Sequence, residues 1–189
     1  KTQPTNPSQT CQVSRPGGTT TNVDVTDLDV TCTTDSFAVG GSVTGLSGSG
    51  LVLHNSDGTD LPVAAGATSY QFQVSSNGAF ALTVKSQPVN PTQLCTIINP
   101  SGTVAGAAVT NAHLTCVTAS FTVGGTITGL LGTGLVLQNN GGSDLIVPAG
   151  ATTFSFPSAS GSPYAVSVKT QPAGPSQVCA VANAAGTVT

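Results

Sequence analysis

Apolar and polar residues alternate along short segments through most of the chain, and these segments are separated by clusters of Gly, Pro, Asn and Ser. The alternation is clearest in segments 69–75 and 79–88. Their apolar side chains are Tyr70, Phe72 and Val74 in the first, and Phe80, Leu82 and Val84 in the second. Side chains of a strand point alternately to opposite faces, so a period of two predicts strands with one buried face. No segment shows the period that is typical of an amphipathic helix.

The stretch 33–116 contains seven predicted strands, with a turn signal after each. They are 36–46, 50–55, 61–65, 69–75, 79–88, 93–99 and 112–116. The first can be one strand or two short strands with a kink at Gly40-Gly41. Pro62 places the third at a sheet edge, because proline cannot donate a hydrogen bond to a neighbouring strand. Short strands with frequent turns are typical of an antiparallel β-sandwich.

One phrase occurs three times in the chain. It reads KTQPTNPSQTC from Lys1, KSQPVNPTQLC from Lys85 and KTQPAGPSQVC from Lys169, so the copies lie 84 positions apart. A fixed period of this length indicates tandem structural units. We therefore predict three parts: the C-terminal end of a repeat in 1–32, a complete repeat in 33–116, and a repeat without its last strand in 117–189.

Two interpretations account for the incomplete repeats at the two ends. In the first, the chain is a window cut from a longer array of the same repeat. In the second, the head of one copy completes the open sandwich of the next by strand complementation. Residues 1–21 duplicate residues 169–189, which favours the window, because a donated head would bring a redundant strand. In both cases we expect consecutive units to meet head to tail, as in an open filament.

Charged residues make up only 6% of the chain, whereas an average soluble protein has roughly 25%. The net charge of −3 leaves no basic surface for nucleic acid or anionic lipid. The apolar runs are too short to span a bilayer. We therefore expect neither nucleic acid nor a membrane-spanning segment. A surface of low charge is suited to lateral packing between copies or to O-linked glycans on the many Ser and Thr residues.

The cysteines follow the repeat. Cys11 and Cys32 are 21 positions apart, and so are Cys95 and Cys116. This spacing predicts the disulfides Cys11–Cys32 and Cys95–Cys116, and hence an oxidising, extracytoplasmic setting. A partner for Cys179 would lie beyond residue 189, so we expect this thiol to be unpaired by truncation. A metal site is the alternative, but the chain has no CxxC and no histidine partners at ligand spacing.

The successive strands GGSVTGL, GLVLHN, YQFQV and FALTV, with YAVSV in the next copy, resemble bacterial immunoglobulin-like modules. The resemblance is to the prealbumin-like surface repeats of the CnaB and carboxypeptidase-regulatory type. It implies an all-β fold of tandem immunoglobulin-like antiparallel β-sandwich modules. Such arrays act as stalks, adhesin shafts or fibre subunits on bacterial surfaces. Some of those families carry a Lys–Asn isopeptide bond that needs a buried Glu or Asp; this chain has no Glu, and one disulfide in each repeat takes that role.

Residues that could carry catalysis do not form a recurring set. A nucleophile needs a base and an orienting group beside it. His54 corresponds to Gln138 in the next copy, and we interpret His54 and His113 as solvated strand residues. Asp60 and Asp144 do correspond, but each precedes a strand at a turn, where Asp commonly bonds backbone amides. We predict no catalytic activity and no cofactor.

The first copy contains one acidic cluster, formed by Asp24, Asp27 and Asp29. Carboxylates of this kind could bind calcium. The corresponding stretch 107–114 has no acidic residue, which excludes a calcium site in every repeat. A single site in the first copy remains as an alternative to our prediction of no metal.

The loops offer two further features. The stretches GLSGSG and GLLGTG are predicted as hairpin turns, because they lack the lysine and the following helix of a phosphate loop. The KTQP phrase has two interpretations that do not exclude each other. It can be a rigid loop, since its prolines restrict the chain, or a contact between modules made by Lys1, Lys85 and Lys169.

These observations favour a structural repeat of a long extracellular bacterial fibre or surface stalk, secreted and exposed at the cell surface. Modules that touch only their neighbours form a quasi-one-dimensional array whose length is its function. The expected partners are copies of the chain or neighbouring repeats in a filament. The alternative is an adhesin or carbohydrate-binding β-sandwich module. It is less favoured, because the chain has no Trp and Tyr70 and Tyr164 occupy predicted core positions.

Overall fold

The fold consists of strands only: no helix occurs in residues 2–189, the part of the chain that the computed structural model describes. Within that part there are sixteen strands. They are β1 Gln9–Val13, β2 Val30–Thr34, β3 Ser36–Thr44, β4 Leu51–Asn55, β5 Asp60–Val63, β6 Ser69–Ser75, β7 Ala79–Ser86, β8 Gln93–Ile97, β9 Ser101–Thr103, β10 Leu114–Thr118, β11 Ser120–Thr126, β12 Leu135–Asn139, β13 Ser143–Val147, β14 Thr153–Ala159, β15 Pro163–Thr170 and β16 Ala185–Thr187. The described residues include no helix that is long and apolar enough to cross a membrane.

The chain divides into two compact units whose boundaries are interleaved in the sequence. The first comprises residues up to Leu46, then Gly50–Gln87 and Cys95–Cys116. The second comprises Ser47–Ser49, Pro88–Leu94 and Val117–Thr189. Two short loop segments from the middle of the chain are therefore part of the second unit.

The first unit contains two four-stranded sheets, ordered β6-β3-β10-β8 and β5-β4-β7-β9. Both contribute apolar side chains to one buried cluster, so the arrangement is sandwich-like. The cluster includes Val39 and Val43 of β3, Leu51 and Leu53 of β4, Tyr70, Phe72 and Val74 of β6, Phe80 and Leu82 of β7, Cys95 of β8, and Leu114 and Cys116 of β10. The alternation in β6 and β7 thus produces the buried face that the sequence pattern predicts.

One strand pair departs from the predicted antiparallel arrangement. β10 runs parallel to β3, with Leu114 opposite Val43 and Thr115 opposite Thr44. The parallel contact extends back to Val109, which bridges Val39. Alternation along a strand indicates which face is buried but carries no information on the direction of the neighbouring strand, so the sequence pattern could not show this.

The strand β3 is continuous, which decides between the two predicted alternatives for 36–46. Its two glycines allow other backbones to approach closely. A Cβ atom at Gly40 would lie 2.0 Å from the carbonyl oxygen of Tyr70, and one at Gly41 would lie 2.5 Å from that of Ala112. No side chain fits at either distance, so the Gly-Gly pair is explained by close packing and not by a kink.

Two details of the predicted topology are corrected. The GLSGSG and GLLGTG stretches are not hairpin turns: β3 and β4 belong to different sheets, and so do β11 and β12. The stretches therefore connect one sheet to another. The strand β9 was not predicted, because its three residues, Ser101–Thr103, are all exposed and include no large apolar side chain.

The second unit repeats much of this arrangement with fewer paired strands. It contains a four-stranded sheet, β13-β12-β15-β16, and a two-stranded sheet, β11-β14. The pairing of β12 with β15 is irregular between Val136 and Leu137, and the pairing of β4 with β7 is irregular between Val52 and Leu53. The buried cluster of the second unit is smaller than that of the first. It consists of Leu130, Leu135, Leu137, Val147, Phe156 and Val166.

Alternation and the 84-residue period predict ten buried residues: Tyr70, Phe72, Phe80, Leu82 and Val84, and their counterparts Phe154, Phe156, Tyr164, Val166 and Val168. These ten fall into two groups. Six of them are buried: Tyr70, Phe72, Phe80, Leu82, Phe156 and Val166. The other four are partly buried and pack against the same clusters: Val84, Phe154, Tyr164 and Val168. Three of these four belong to the second unit, where the two-stranded sheet covers less of the core.

The head of the chain forms a separate two-stranded sheet. β1 pairs with β2 in antiparallel register, and Cys11 lies directly opposite Cys32. Several apolar side chains between residues 23 and 30 are exposed: Val23, Val25, Leu28 and Val30.

Candidate functional site

The cysteines form two disulfides, Cys11–Cys32 and Cys95–Cys116. These are the pairs that the 21-residue spacing predicts. Cys95 and Cys116 are both buried in the first unit, where they join neighbouring strands β8 and β10. Cys179 is a free thiol and is partly buried. Disulfides persist in oxidising compartments and are rare in the cytosol, so the two bonds indicate a non-cytoplasmic setting.

The first glutamine of the KTQP phrase holds the cysteine that ends it. The side chain of Gln87 accepts a hydrogen bond from the amide of Cys95 at 2.8 Å and donates one to its carbonyl oxygen at 3.1 Å. Gln171 makes the same two bonds to Cys179, at 2.8 and 3.0 Å. Gln3 makes them to Cys11 in the head. Each phrase is therefore a closed loop.

The second glutamine of the phrase anchors the Gly-rich connection. Gln93 is buried, and its Oε1 atom accepts hydrogen bonds from the amides of Ser47 and Gly48 at 2.8 and 2.7 Å. Gln177 does the same for the amides of Leu131 and Gly132, both at 2.8 Å. Sequence analysis did not assign these glutamines. The signal that could have identified them is their recurrence at fixed distances from each cysteine.

A further set of bonds occurs twice, and we call it the linker network. In the first unit, the amide of Ser8 donates to Ser76 Oγ at 2.9 Å, the amide of Asp35 donates to the Ser8 carbonyl at 3.0 Å, and the amide of Ser76 donates to the Asp35 carbonyl at 2.8 Å. The three residues lie on the KTQP loop, between β2 and β3, and after β6.

The second linker network lies in the second unit, 84 positions further along the chain. Thr92 donates to Ser160 Oγ at 2.9 Å, Ala119 donates to the Thr92 carbonyl at 2.9 Å, and Ser160 donates to the Ala119 carbonyl at 2.8 Å. All three donors are backbone amides. In these three shared bonds only the serine contributes a side chain, so they also form with Ala119 in the place of Asp35. In the first unit the Asp35 carboxylate accepts two further hydrogen bonds, from Ser8 Oγ at 2.5 Å and from Thr10 Oγ1 at 2.8 Å.

The lysines of the phrase pair with aspartates of their own sheets. Lys85 of β7 bonds Asp60 of β5, which also accepts from His54 Nδ1 at 2.6 Å. Lys169 bonds Asp144 at 2.5 Å. The hydrogen bond from Lys85, and then that from His54, lower the pKa of Asp60; the bond from Lys169 does the same for Asp144.

These ion pairs correct one expectation and leave another open. Asp60 and Asp144 bond side chains across the sheet, whereas we expected them to bond the amides of a turn. The contact between modules that we predict for Lys1, Lys85 and Lys169 stays a prediction, and Lys1 lies outside the described residues. All four side chains of the two ion pairs are partly exposed, so solvent screens both pairs and neither is a major source of stability.

The two histidines bond polar neighbours and do not meet each other. His113 Nδ1 lies 2.9 Å from Ser42 Oγ, and His54 bonds Asp60. Both sites are exposed, and in residues 2–189 the cysteine, histidine and acidic side chains form no cluster of three or more that could hold a metal ion. In the acidic cluster, the Asp27 carboxylate pairs with Arg15, and the backbone amide of Asp29 donates a hydrogen bond to Ser14 Oγ at 3.0 Å.

The second unit contains an open groove of about 750 Å³, which we call the β11 groove. One wall is β11 together with the residues up to Gly129, and the opposite wall is the segment 177–183. Its floor is apolar and includes Leu135, Leu137 and Val166. The free thiol of Cys179 belongs to the second wall.

Comparisons with known proteins add no identity to this description. No protein-family model matches the chain, and no curated protein matches it. The function must therefore be argued from the bonds and surfaces described above.

Proposed function

We propose that this chain is a structural repeat of a long extracellular bacterial fibre or surface stalk, in which immunoglobulin-like β-sandwich modules of 84 residues follow one another head to tail. The observation that carries the proposal is the linker network, which occurs twice with the same three bonds. A network that joins the end of one repeat to the β6-type turn of the next is what a serial array requires.

Two other features support this role. The network consists of backbone donors and one serine hydroxyl, so it constrains the local sequence very little, and different repeats can use it. The hydrogen bonds of the phrase glutamines and the disulfides stabilise each module from within, which is useful in a small domain that buries a limited core. Secretion and display at the cell surface agree with the disulfides and with a surface of low charge.

Enzymatic and ligand-binding functions have less support. The two histidines lie apart, and neither is part of a nucleophile–base–orienter set. Neither tyrosine offers an exposed stacking platform for a sugar, since Tyr70 is buried and Tyr164 is partly buried. An adhesin or carbohydrate-binding module is therefore the second candidate, and neighbouring repeats are the expected partners.

Electron microscopy of the native material tests the proposal. We expect threads with a repeating substructure, and we expect Ser160→Ala to make them shorter or more easily broken, because it removes the only side-chain acceptor of the second linker network. Ser155→Ala, on the exposed side of β14, is the matched control and should leave the threads unchanged. Monodisperse particles that bind one glycan saturably on an array would favour the adhesin alternative.

A further inference from the structure

The β11 groove has a counterpart in the first unit that is filled by the chain itself. The strand β10 lies there between β3 and β8. The preceding residues also bond β3: the amide of Val109 donates to the Ala38 carbonyl at 2.8 Å, and the amide of Ala112 donates to the Gly40 carbonyl at 3.0 Å. Residues 106–118 thus occupy the space between two strands that correspond to the two walls of the groove.

The space around two pairs of corresponding glycines, Gly41 with Gly125 and Gly45 with Gly129, differs between the filled and the open site. A Cβ atom at Gly41 would lie 2.5 Å from the carbonyl oxygen of Ala112, whereas one at Gly125 would meet only the Phe154 ring, at 3.2 Å. A Cβ atom at Gly45 would lie 2.3 Å from the carbonyl oxygen of Cys116, whereas Gly129 has nothing within 4 Å. Glycine at 125 therefore leaves room for a backbone that could approach as closely as Ala112 does in the first unit.

The burial of apolar side chains changes in the same direction. Val39 is fully buried beneath the 106–118 segment, and its counterpart Val123 is only partly buried. Cys95 is buried, and its counterpart Cys179 is partly buried. Removal of this apolar surface from water would stabilise a bound partner that covers it.

The walls of the groove also offer backbone groups for pairing. β11 has one strand neighbour, β14, so its other edge faces the groove. The segment 177–181 corresponds to β8 but is not a strand. Since β8 pairs with β10 in the first unit, a strand placed in the groove could pair on both sides, and open edges of this kind commonly bind an added strand.

We infer that the β11 groove is a binding site for one extended polypeptide strand with the residue pattern of 106–118, lying parallel to β11. Its recognition elements are the alternate small and apolar residues that correspond to Ala112, Leu114 and Cys116, which are all buried in the first unit. The inference rests on the geometry of the groove and does not depend on the fibre proposal.

The head of a second copy is the main rival occupant. Residues 22–34 correspond to 106–118, and their apolar side chains Val25, Leu28 and Val30 are exposed. However, β2 is already paired with β1 and tied to it by the Cys11–Cys32 disulfide. Because β2 is tied to β1, both strands would have to enter the groove. The second wall of the groove, 177–183, corresponds to β1 in the repeat, so the place that β1 would take is already occupied. A free-standing strand does not meet this conflict.

The free thiol of Cys179 gives the bound strand a covalent option. In the first unit, Cys95 and Cys116 are joined, so a bound strand would place its own cysteine beside Cys179. A small-molecule disulfide such as oxidised glutathione would take one electron and one proton from each thiol. One S–S bond would form between Cys179 and the strand, and the oxidant would leave as two thiols.

Peptide titration by calorimetry tests the inference. The ligand is a synthetic peptide with the sequence of residues 106–118 and serine in place of its cysteine, so that binding is measured without disulfide chemistry. We expect saturable 1:1 binding to the 189-residue chain, and amide chemical-shift changes along β11 and 177–183. A peptide with Leu114→Asp should not bind, because it places a charge on the apolar floor.

The matched protein variants are Gly125→Ala and Gly142→Ala. A methyl group at position 125 meets only the Phe154 ring in the free chain, so circular dichroism should show an intact fold. It would obstruct the strand backbone, and we expect binding to weaken at least about tenfold. At Gly142, which has nothing within 4 Å and lies outside the groove, alanine should leave binding unchanged.

A chain extended after Thr189 by the same thirteen residues (106–118) provides a second measurement. We expect oxidised glutathione to link Cys179 to the added cysteine, as shown by peptide mapping, and we expect the melting temperature of the second unit to rise. The inference is overturned if neither occurs, if the peptide does not bind the folded chain, or if Gly125→Ala binds it normally. The unmodified chain could also self-associate in a concentration-dependent way that Leu28→Asp abolishes. This result would show that the head of a second copy occupies the groove, and it would also overturn the inference.

Discussion

Removal of the Cys95–Cys116 disulfide is the most direct test of how the first unit is stabilised. The change is the double substitution Cys95→Ala and Cys116→Ala, which removes the bond and leaves no buried hydroxyl group. The matched control is Cys11→Ala with Cys32→Ala. The control bond spans the same 21 positions but lies in the head sheet, outside the buried cluster of the first unit.

The magnitude follows from the length of the closed loop. A bond across 21 positions lowers the entropy of the unfolded chain by about 11 cal/mol/K, which stabilises the fold by about 3.3 kcal/mol at 25 °C in the chain-entropy model. With a urea dependence of roughly 1–1.5 kcal/mol per molar for a unit of this size, the midpoint of unfolding should fall by about 2–3 M. This loss is about a fifth to two thirds of the 5–15 kcal/mol that is typical of a folded domain.

Urea unfolding with hydrogen exchange resolved by mass spectrometry is the assay, because it reports on each unit separately. We expect the double variant to lose protection in β3, β8 and β10, which share one sheet. The control should leave protection in these strands unchanged. A shift of the midpoint below about 0.5 M would refute the loop-entropy argument. Equal loss of protection in β3, β8 and β10 in both variants would refute the view that the Cys95–Cys116 bond specifically stabilises the sheet that contains these strands.

Three further predictions concern single side chains. Gln93→Leu removes the acceptor of two backbone amides, so urea unfolding should show a decrease of about 1–3 kcal/mol in the free energy of unfolding. An unchanged midpoint would contradict a stabilising role for these two hydrogen bonds. Tyr70→Phe removes a buried hydrogen bond of 2.7 Å to the Ala112 carbonyl and should cost a similar amount. Burial raises the pKa of Tyr70 to about 12, so an ultraviolet titration should lose its latest step in this variant. Asp60→Asn should reduce the dependence of stability on acid. The bond from Lys85 lowers the pKa of Asp60 below its usual 3.8, so the ionised form stabilises the fold above about pH 4, and this contribution is lost as the pH falls through the lowered pKa. Thermal melts at pH 2–6 measure the effect, and identical acid limbs would exclude it.

The sequence was sufficient for much of the fold because strand alternation depends on burial. The predicted segments 69–75 and 79–88 correspond to β6 and β7, Ser69–Ser75 and Ala79–Ser86. The sequence pattern could not predict that β10 runs parallel to β3, because a strand buries the same face whether its neighbour is parallel or antiparallel. The sequence pattern could not predict β9 either, because the main contribution of this strand is backbone pairing with β7.

The candidate site was harder to predict than the fold, for a different reason. Gln87 and Gln93 have the composition of an ordinary solvated loop, and their bonds depend on how that loop closes. The lysine of the phrase was predicted to contact a neighbouring module, whereas the partner of Lys85 in the structure, Asp60, lies on the same sheet. The recurrence of both glutamines in three copies was visible in the sequence, but recurrence alone does not reveal which atoms a side chain reaches.

The linker network has a consequence for the gene that encodes such a chain. Because its bonds recur with a period of 84 residues, in-frame recombination between copies that deletes or duplicates one period would rejoin a Ser8-type loop to a Ser76-type turn without creating a new kind of junction. In the array that we propose, variation in copy number should therefore leave the bonds at each junction unchanged, and unequal crossing-over could alter the length of the product. Sequencing of related isolates should then show alleles that differ by whole multiples of the period.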